Sequence, residues 1–196
     1  MALSLATAEG RAARIALLDG ERFASLEAYR RLIAAQHGAT PHFDPLDGGV
    51  CAGILLLLET PGPRGPAPRF VSCDNPTGTA RNLTRFLARA NIDRRDLVIW
   101  NTVPWIIHAD GARNRAPRRA EIVSGLAWLP GLLERLPQLC GVVLAGRVAQ
   151  NAAPLLRSDL AVVAMPHPSP TYVNTSPSVA ERIVAALSDI RAVCDR

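Results

Sequence analysis

Three polar motifs, each placed directly after an aliphatic run, contain the residues of this sequence most suited to chemistry. They are Glu59-Thr60-Pro61-Gly62, Asn101 and His167-Pro168-Ser169-Pro170. A carboxylate accepts hydrogen bonds, an amide both donates and accepts them, and a neutral imidazole carries one donor and one acceptor. Together these groups can bind and polarise a small polar ligand, provided that the fold brings them to one crevice.

The aliphatic runs before and between these motifs predict the sheet that must position them. Residues 53–58, 97–100, 141–145 and 160–165 read as buried strands, because each is short, continuous and apolar. Amphipathic segments separate them, which predicts an α/β fold: a three-layer sandwich with a central, mostly parallel four-stranded sheet. Ligands of such folds bind beyond the carboxyl ends of the strands, where the three motifs fall.

The helices are predicted from apolar periodicity and from their end signals. We expect helices over residues 21–37, 77–90, 118–136 with a bend at Pro130, 148–156 and 177–193, the last one capped by Ser176. In the first of these helices, Phe23, Leu26, Leu32 and Ile33 are expected on one buried face. We expect one domain over residues 1–196, with an N-terminal helical segment (1–50) and an α/β core (51–196).

The order and spacing of the three motifs resemble the uracil-DNA glycosylase superfamily over roughly residues 51–193, as a divergent branch. The resemblance implies an enzyme that flips uracil, or a related deaminated base, out of DNA and hydrolyses its N-glycosidic bond to leave an abasic site. It implies that His167 donates to uracil O2, that Asn101 reads the base edge and that Phe70 stacks on the ring. Thr60, Pro61 and Gly62 would then line the base pocket.

The residue that activates water departs from the family pattern. Thr60 stands where other branches have Asp or Asn, and a threonine cannot act as a general base near neutral pH. Glu59 and Asp74 remain as the two candidate carboxylates. One branch also holds an iron–sulfur cluster, but Trp105 stands roughly where that branch has a cysteine, so we expect no cofactor and no metal.

The DNA contacts implied by the resemblance come from two segments. Arg113, Arg115 and Arg118 lie in a short stretch without acids and are expected to neutralise phosphates, although a solvated charged loop is the alternative. Ser169 is expected on a phosphate. Pro170, Thr171 and Tyr172 follow it. Thr171 stands where the best-matched branch has a wedge leucine, and Tyr172 would instead fill the gap left by the flipped base.

Composition limits the remaining possibilities. The 196 residues carry a net charge of +5 and a sequence pI near 9.7, and all 22 basic residues are arginine. A hydrophobic share of 48% excludes a disordered chain, and the longest apolar run is too short to span a bilayer. We therefore expect a cytoplasmic protein that binds no membrane, and the resemblance implies a monomer that binds uracil-containing DNA. The cysteines (Cys51, Cys73, Cys140, Cys194) are expected to be reduced thiols that mainly fill the core.

Two other functions remain open at this stage. The loss of the usual residue at Thr60 is compatible with a catalytically silent nucleic-acid-binding module on the same fold. A hydrolase of free nucleosides or small amides is the third possibility, and the arginine-rich loop argues against it.

Overall fold

The computed structural model describes residues 3–63, 65–109 and 112–195. The elements in chain order are α1 (Ala8–Ile15), α2 (Glu21–His37), β1 (His42–Phe43), β2 (Ile54–Leu58), β3 (Phe70–Val71), α3 (Gly78–Arg89), β4 (Leu97–Asn101), α4 (Arg119–Leu126), α5 (Leu129–Leu133), β5 (Gly141–Ala145), α6 (Gly146–Gln150), β6 (Ala161–Met165), α7 (Pro170–Val173) and α8 (Pro177–Cys194). Short 3-10 turns cover Gly49–Cys51, Arg94–Asp96 and Ala153–Leu155.

The four predicted strands form one parallel sheet in the order β4-β2-β5-β6. In its register Leu58 pairs with Asn101 and Ala145 pairs with Met165, so the strand ends meet at one edge. Strands β4 and β5 are buried at every position, although β4 lies at one edge of this sheet. The predicted α/β architecture is confirmed.

The helices lie close to their predicted positions, with two differences. Ser176 caps α8 through its side-chain oxygen, as predicted, and the side-chain oxygen of Thr77 caps α3. The predicted helix 118–136 is instead two helices, α4 and α5, and Pro130 lies in the first turn of α5 because that position requires no backbone N–H donor. The predicted helix 148–156 starts earlier and ends at Gln150.

Helix α2 buries Phe23, Leu26 and Ile33, but the expectation for Leu32 is wrong. Leu32 is 57% exposed, whereas Ile33 is fully buried. Leu26 and Ile33 are seven residues apart, close to two full turns, while Leu32 is displaced from Ile33 by about 100° around the helix axis. The buried face of the helix is therefore narrower than predicted.

A two-stranded parallel sheet of β1 and β3 was not predicted from the sequence. It pairs His42 with Phe70 and Phe43 with Val71. The ring of Phe43 stacks on that of Trp100 with centroids 3.7 Å apart, so the small sheet packs against β4. Its strands have two residues each, too few to give a periodic pattern.

The cysteine expectation is wrong for one pair, since Cys140 and Cys194 form a disulfide. Their Cα atoms are 5.6 Å apart although the residues are separated by 54 positions. Helix α8 packs along β5 and β6, which brings its last turn next to the start of β5. Of the two free cysteines, Cys73 is buried as expected and Cys51 is exposed.

One hydrophobic core extends through the described part of the chain, from Leu5 before α1 to Ile190 in α8. The N-terminal helices therefore pack on the same core as the sheet. Within the described residues, no helix is both long enough and apolar enough to cross a membrane.

Candidate active site

A cavity of about 370 Å³ opens at the carboxyl edge of the central sheet. Asn101 at the end of β4, His167 after β6 and Phe70 on β3 all line it. The loop after β2 contributes Thr60, Pro61 and Gly62, and Ser169 lies on the same wall. The sequence-predicted amide, imidazole and phenyl groups are thus brought together around one space, which exceeds the size of a single pyrimidine ring.

The imidazole of His167 is held in one orientation and one protonation state. The backbone N–H of Ser169 donates to His167 Nδ1 at 3.2 Å, which leaves Nε2 as the position of the proton in the neutral ring. Burial lowers the pKa of His167 to about 4, so the ring is neutral near pH 7. The cavity therefore contains a neutral imidazole with a free N–H donor.

Two neighbours fix the segment that carries His167. Asn82 Nδ2 on α3 donates to the carbonyl oxygen of Pro168 at 3.0 Å. Gly146, with a φ of +85°, lies against the histidine, and a Cβ atom at this glycine would be 3.0 Å from the Cβ of His167. A side chain at residue 146 would therefore meet both backbone strain and a crowded histidine.

Asn101 and Phe70 are placed by the two sheets. Asn101 is the last residue of β4, only 5% exposed, and its backbone pairs with that of Leu58. Phe70 is also 5% exposed, and the ring of His42 lies 5.5 Å from it in a tilted arrangement. The Phe70 carbonyl oxygen accepts a hydrogen bond from Asn75 Nδ2 at 2.9 Å, which holds the turn after β3.

In the loop after β2, Thr60 lines the cavity but its neighbour Glu59 does not. Thr60 Oγ1 is buried, and no described residue forms a hydrogen bond with it. Glu59 is half-buried, and burial raises the pKa of its carboxyl group. Glu59 is not among the described residues that line the cavity, although its neighbours Leu58 and Thr60 are.

Asp74, the other predicted carboxylate, is held in a network of ion pairs away from the cavity lining. Its Oδ2 accepts from Arg14 Nη2 at 2.6 Å and from Arg94 Nη1 at 2.7 Å. Burial acts to raise the pKa of Asp74, but the hydrogen bonds from the two guanidinium groups outweigh it and lower the pKa. Both arginines also contact the buried Asp44. None of the described residues that line the cavity is an Asp or a Glu.

The predicted arginine loop is not uniformly available to DNA. Arg115 forms two hydrogen bonds with the Glu121 carboxylate, at 2.6 and 2.8 Å, and another with the Ile107 carbonyl oxygen at 2.9 Å. Arg113 and Arg118 are exposed, and the backbone N–H of Arg118 donates to Glu121. An acid just beyond the stretch thus neutralises its central arginine.

The predicted wedge residues lie on a one-turn helix beside the cavity. Helix α7 begins at Pro170, which packs against Gly78 at the start of α3. Thr171 is exposed and Tyr172 is 48% exposed, while Val173 anchors the turn in the core. Two side chains of the predicted wedge segment are therefore presented at the surface.

Sequence reasoning missed seven polar residues of the described cavity lining: Arg11, Arg69, Ser72, Asn75, Thr77, Thr79 and Asn114. Arg11 comes from α1, far from the motifs in sequence, and no pattern indicates its approach. Arg69 is adjacent to Phe70 and could have been included as its neighbour. Its guanidinium donates to the carbonyl oxygens of Gly62 and Pro63 at 3.3 and 3.4 Å, which ties β3 to the loop after β2.

Comparison with known proteins identifies the family of the chain. A family model described as the Uracil DNA glycosylase superfamily matches residues 54–191, which is more than half of the chain and contains the three motifs. A search of curated proteins finds no matching relative. From the motifs, the parallel sheet and this match, we conclude that the chain belongs to the uracil-DNA glycosylase superfamily.

Proposed function

We propose that the protein is a DNA glycosylase that flips uracil into the cavity and hydrolyses its N-glycosidic bond. The observation that carries this proposal is the meeting of Asn101, His167 and Phe70 around one cavity in a chain of this superfamily. Each group supplies something that base excision needs: a reader of the base edge, a donor to the leaving group and a stacking surface.

His167 is the proposed donor to the departing base. As the bond between C1′ and N1 breaks, its electron pair leaves with uracil, and negative charge grows on uracil O2. The N–H at Nε2 stabilises that charge by donating a hydrogen bond. The imidazole carries no positive charge itself, because the partly buried ring stays neutral. Loss of one such donor typically costs 10²- to 10³-fold in rate.

Asn101 is the proposed reader of the base edge. Its amide can donate to uracil O4 and accept from N3–H, whereas cytosine offers a donor and an acceptor in the opposite places. Because Asn101 is buried, a mismatched base leaves polar groups unpaired, which is costly. The ring of Phe70 supplies the surface on which the flipped base stacks.

Glu59 is the proposed base that takes a proton from the attacking water, whose oxygen bonds to C1′. Of the two predicted carboxylates, Asp74 is engaged by two arginines, whereas Glu59 forms no ion pair with a described residue. Burial raises the pKa of Glu59, which makes it a stronger base than an exposed glutamate. Glu59→Gln is expected to lower the excision rate at least tenfold, measured in single-turnover reactions with saturating enzyme. An unchanged rate would exclude Glu59 as the base.

DNA is proposed to lie across the face that carries α7. The exposed Thr171 or Tyr172 would enter the duplex where the flipped base leaves a gap, with Ser169 and Pro170 close to the adjacent phosphate. Arg113 and Arg118 remain proposed phosphate contacts, because both are exposed. Arg115 is a weaker proposal, since its guanidinium already binds Glu121.

The experiment is an excision assay on a labelled oligonucleotide with one deoxyuridine, in which alkali cleaves the strand at abasic sites. Wild-type protein is expected to give the cleaved product, while His167→Gln and Asn101→Ala lose at least 100-fold in rate. Asn151→Ala, an exposed residue outside the cavity lining, is the matched control for Asn101→Ala. Oligonucleotides with thymine, cytosine, hypoxanthine or xanthine define which bases are accepted. Full activity in His167→Gln would overturn the proposed mechanism.

A catalytically silent DNA-binding module is a second candidate. It is favoured by one observation, that no described residue lining the cavity is an Asp or a Glu. Under this alternative, wild-type protein binds uracil-containing DNA but produces no abasic sites, even at saturating concentration and long incubation. The same assay therefore separates the two candidates.

A further inference from the structure

Part of the cavity wall is built by a segment that the family match does not include. The match begins at residue 54, whereas Leu5, Arg11 and Pro41 line the cavity. Helix α1, which carries Arg11, and Leu5 three residues before it thus belong to the site in space. This addition brings a positively charged side chain to a cavity whose described lining holds no acid.

Helix α1 is held firmly in this position. Arg14 is 2% exposed and donates to two carboxylates, the buried Asp44 and, at 2.6 Å, Asp74 in the turn after β3. Arg14 Nε also donates to the carbonyl oxygen of Leu3 at 2.8 Å. Buried charge-assisted contacts of this kind leave little freedom to a short helix. The Asp74 carboxylate therefore acts as an anchor for α1.

Arg11 lies one turn before Arg14 on the same side of the helix, at the cavity. Its Nε donates to the Ala67 carbonyl oxygen at 3.3 Å and its Nη1 to that of Leu5 at 3.1 Å. Arg69 lines the same cavity and makes its two hydrogen bonds to backbone carbonyl oxygens as well. Each guanidinium has five N–H donors, so each keeps several that no described residue accepts.

These two arginines differ from three other arginines near the site, Arg14, Arg94 and Arg115, in their lack of a counter-charge. Arg14, Arg94 and Arg115 each bind a carboxylate, but neither Arg11 nor Arg69 forms an ion pair with a described acidic residue. Both half-buried guanidinium groups line one cavity, so an anion bound there would be attracted by two positive charges. A phosphate diester fits, because guanidinium groups match its oxygen geometry.

We propose that Arg11 and Arg69 form a phosphodiester-binding subsite at the mouth of the cavity, which holds the DNA backbone beside the flipped nucleotide. This inference rests on the proposed function only in naming DNA as the ligand. It moves the principal phosphate contact from the predicted loop at residues 113–118 to α1 and the segment before β3. The N-terminal segment is then part of the substrate site.

The test measures binding of a fluorescent uracil-containing oligonucleotide over a range of salt concentrations, by anisotropy, in the His167→Gln background to prevent turnover. Arg11→Gln and Arg69→Gln are each expected to weaken binding about tenfold at low salt. Each should also reduce the slope of log affinity against log salt by about 0.7–0.9, the value for one lost phosphate contact. Arg157→Gln is the matched control. The substitution removes the same charge, and Arg157 precedes β6 at the opposite edge of the sheet.

The lysine variants distinguish two roles of each arginine: contact with a DNA phosphate, and hydrogen bonding that holds the loops in place. Arg11→Lys and Arg69→Lys keep the charge and are expected to keep the salt slope, although they change the hydrogen bonds to the loop carbonyl oxygens. If the slope is unchanged in both Gln variants, or falls equally in the Lys variants, the subsite is wrong. If wild-type protein makes no abasic sites but the Gln variants still lose slope, the glycosylase proposal fails and the subsite stands.

Discussion

Because His167 is neutral and partly buried, the pH dependence of the free energy of unfolding can be predicted quantitatively. The perturbation is His167→Gln, which removes the titrating group while it keeps a polar side chain of similar length. Burial lowers the pKa of His167 from its ordinary value near 6.5 to about 4 in the folded protein. The unfolded chain has no such burial, so its histidine titrates near 6.5.

The sign and size of the change in stability with pH follow from proton linkage. Above pH 6.5 neither state binds the proton, and the contribution of His167 to folding does not change. Between pH 6.5 and 4 the unfolded state binds a proton that the folded state excludes, so stability falls as the pH falls. Each pH unit in this range lowers the free energy of unfolding by about 1.4 kcal/mol, so wild-type protein loses about 3 kcal/mol in total. The variant does not show this loss, because it has no imidazole at residue 167.

The assay is urea denaturation followed by tryptophan fluorescence, at steps between pH 7.5 and pH 4.0. The quantity of interest is the free energy of unfolding of wild type minus that of His167→Gln, plotted against pH. Burial also lowers the pKa of His37 and His108, but both residues are present in each protein and cancel in the difference. Asn151→Ala is the control and should follow the wild-type pH dependence.

A difference that stays constant from pH 7.5 to 4.0 would refute the reasoning, because it would show that His167 titrates alike in both states. The imidazole would then be solvated, and it could become positively charged in mildly acidic solution. A difference that shrinks as the pH rises from 4.0 to 6.5 would also contradict it, since that sign requires a raised pKa.

Three further predictions concern the supports of the site. Gly146→Ala is expected to reduce the excision rate at least tenfold and to lower the free energy of unfolding by about 1–2 kcal/mol. The reason is that a positive φ and the contact with His167 both disfavour a side chain at residue 146. The excision assay and urea denaturation measure the two effects, and an unaffected variant would show that the contact relaxes freely. Cys194→Ser opens the loop closed by the bond to Cys140 and should cost up to about 4 kcal/mol of stability, while wild type treated with reductant should match it. Asp74→Asn should lower stability by about 2 kcal/mol through its weakened arginine contacts, with excision at saturating enzyme changed by less than threefold; a loss of 100-fold or more would make Asp74 the base instead.

Local patterns were sufficient to predict the central sheet and the residues at its edge. Residues 97–100 are apolar because both faces of the strand are covered, and the polar Asn101 directly after them marks the carboxyl end. Parallel strands place all such ends at one edge, so the sequence predicts Asn101 and His167 on one side. The N-cap residue Ser176 likewise marks the start of its helix through a local hydrogen bond.

Other features depend on contacts between residues that are far apart in the chain. Arg115 looked available for phosphate within its acid-free stretch, but the turn into α4 brings Glu121 onto its guanidinium. Leu32 looked apolar enough for the core, but the packing of α2 leaves it in solvent.

Local periodicity and strand polarity are sufficient to predict the class of fold, the edge of the sheet where the site lies and the side-chain types available there. They do not predict that α1 lines the cavity, that Asp74 binds Arg14 and Arg94, or that Cys140 bonds to Cys194. These contacts join segments 20 or more residues apart, and what sets them is the packing of whole elements on a shared core rather than any pattern within one segment.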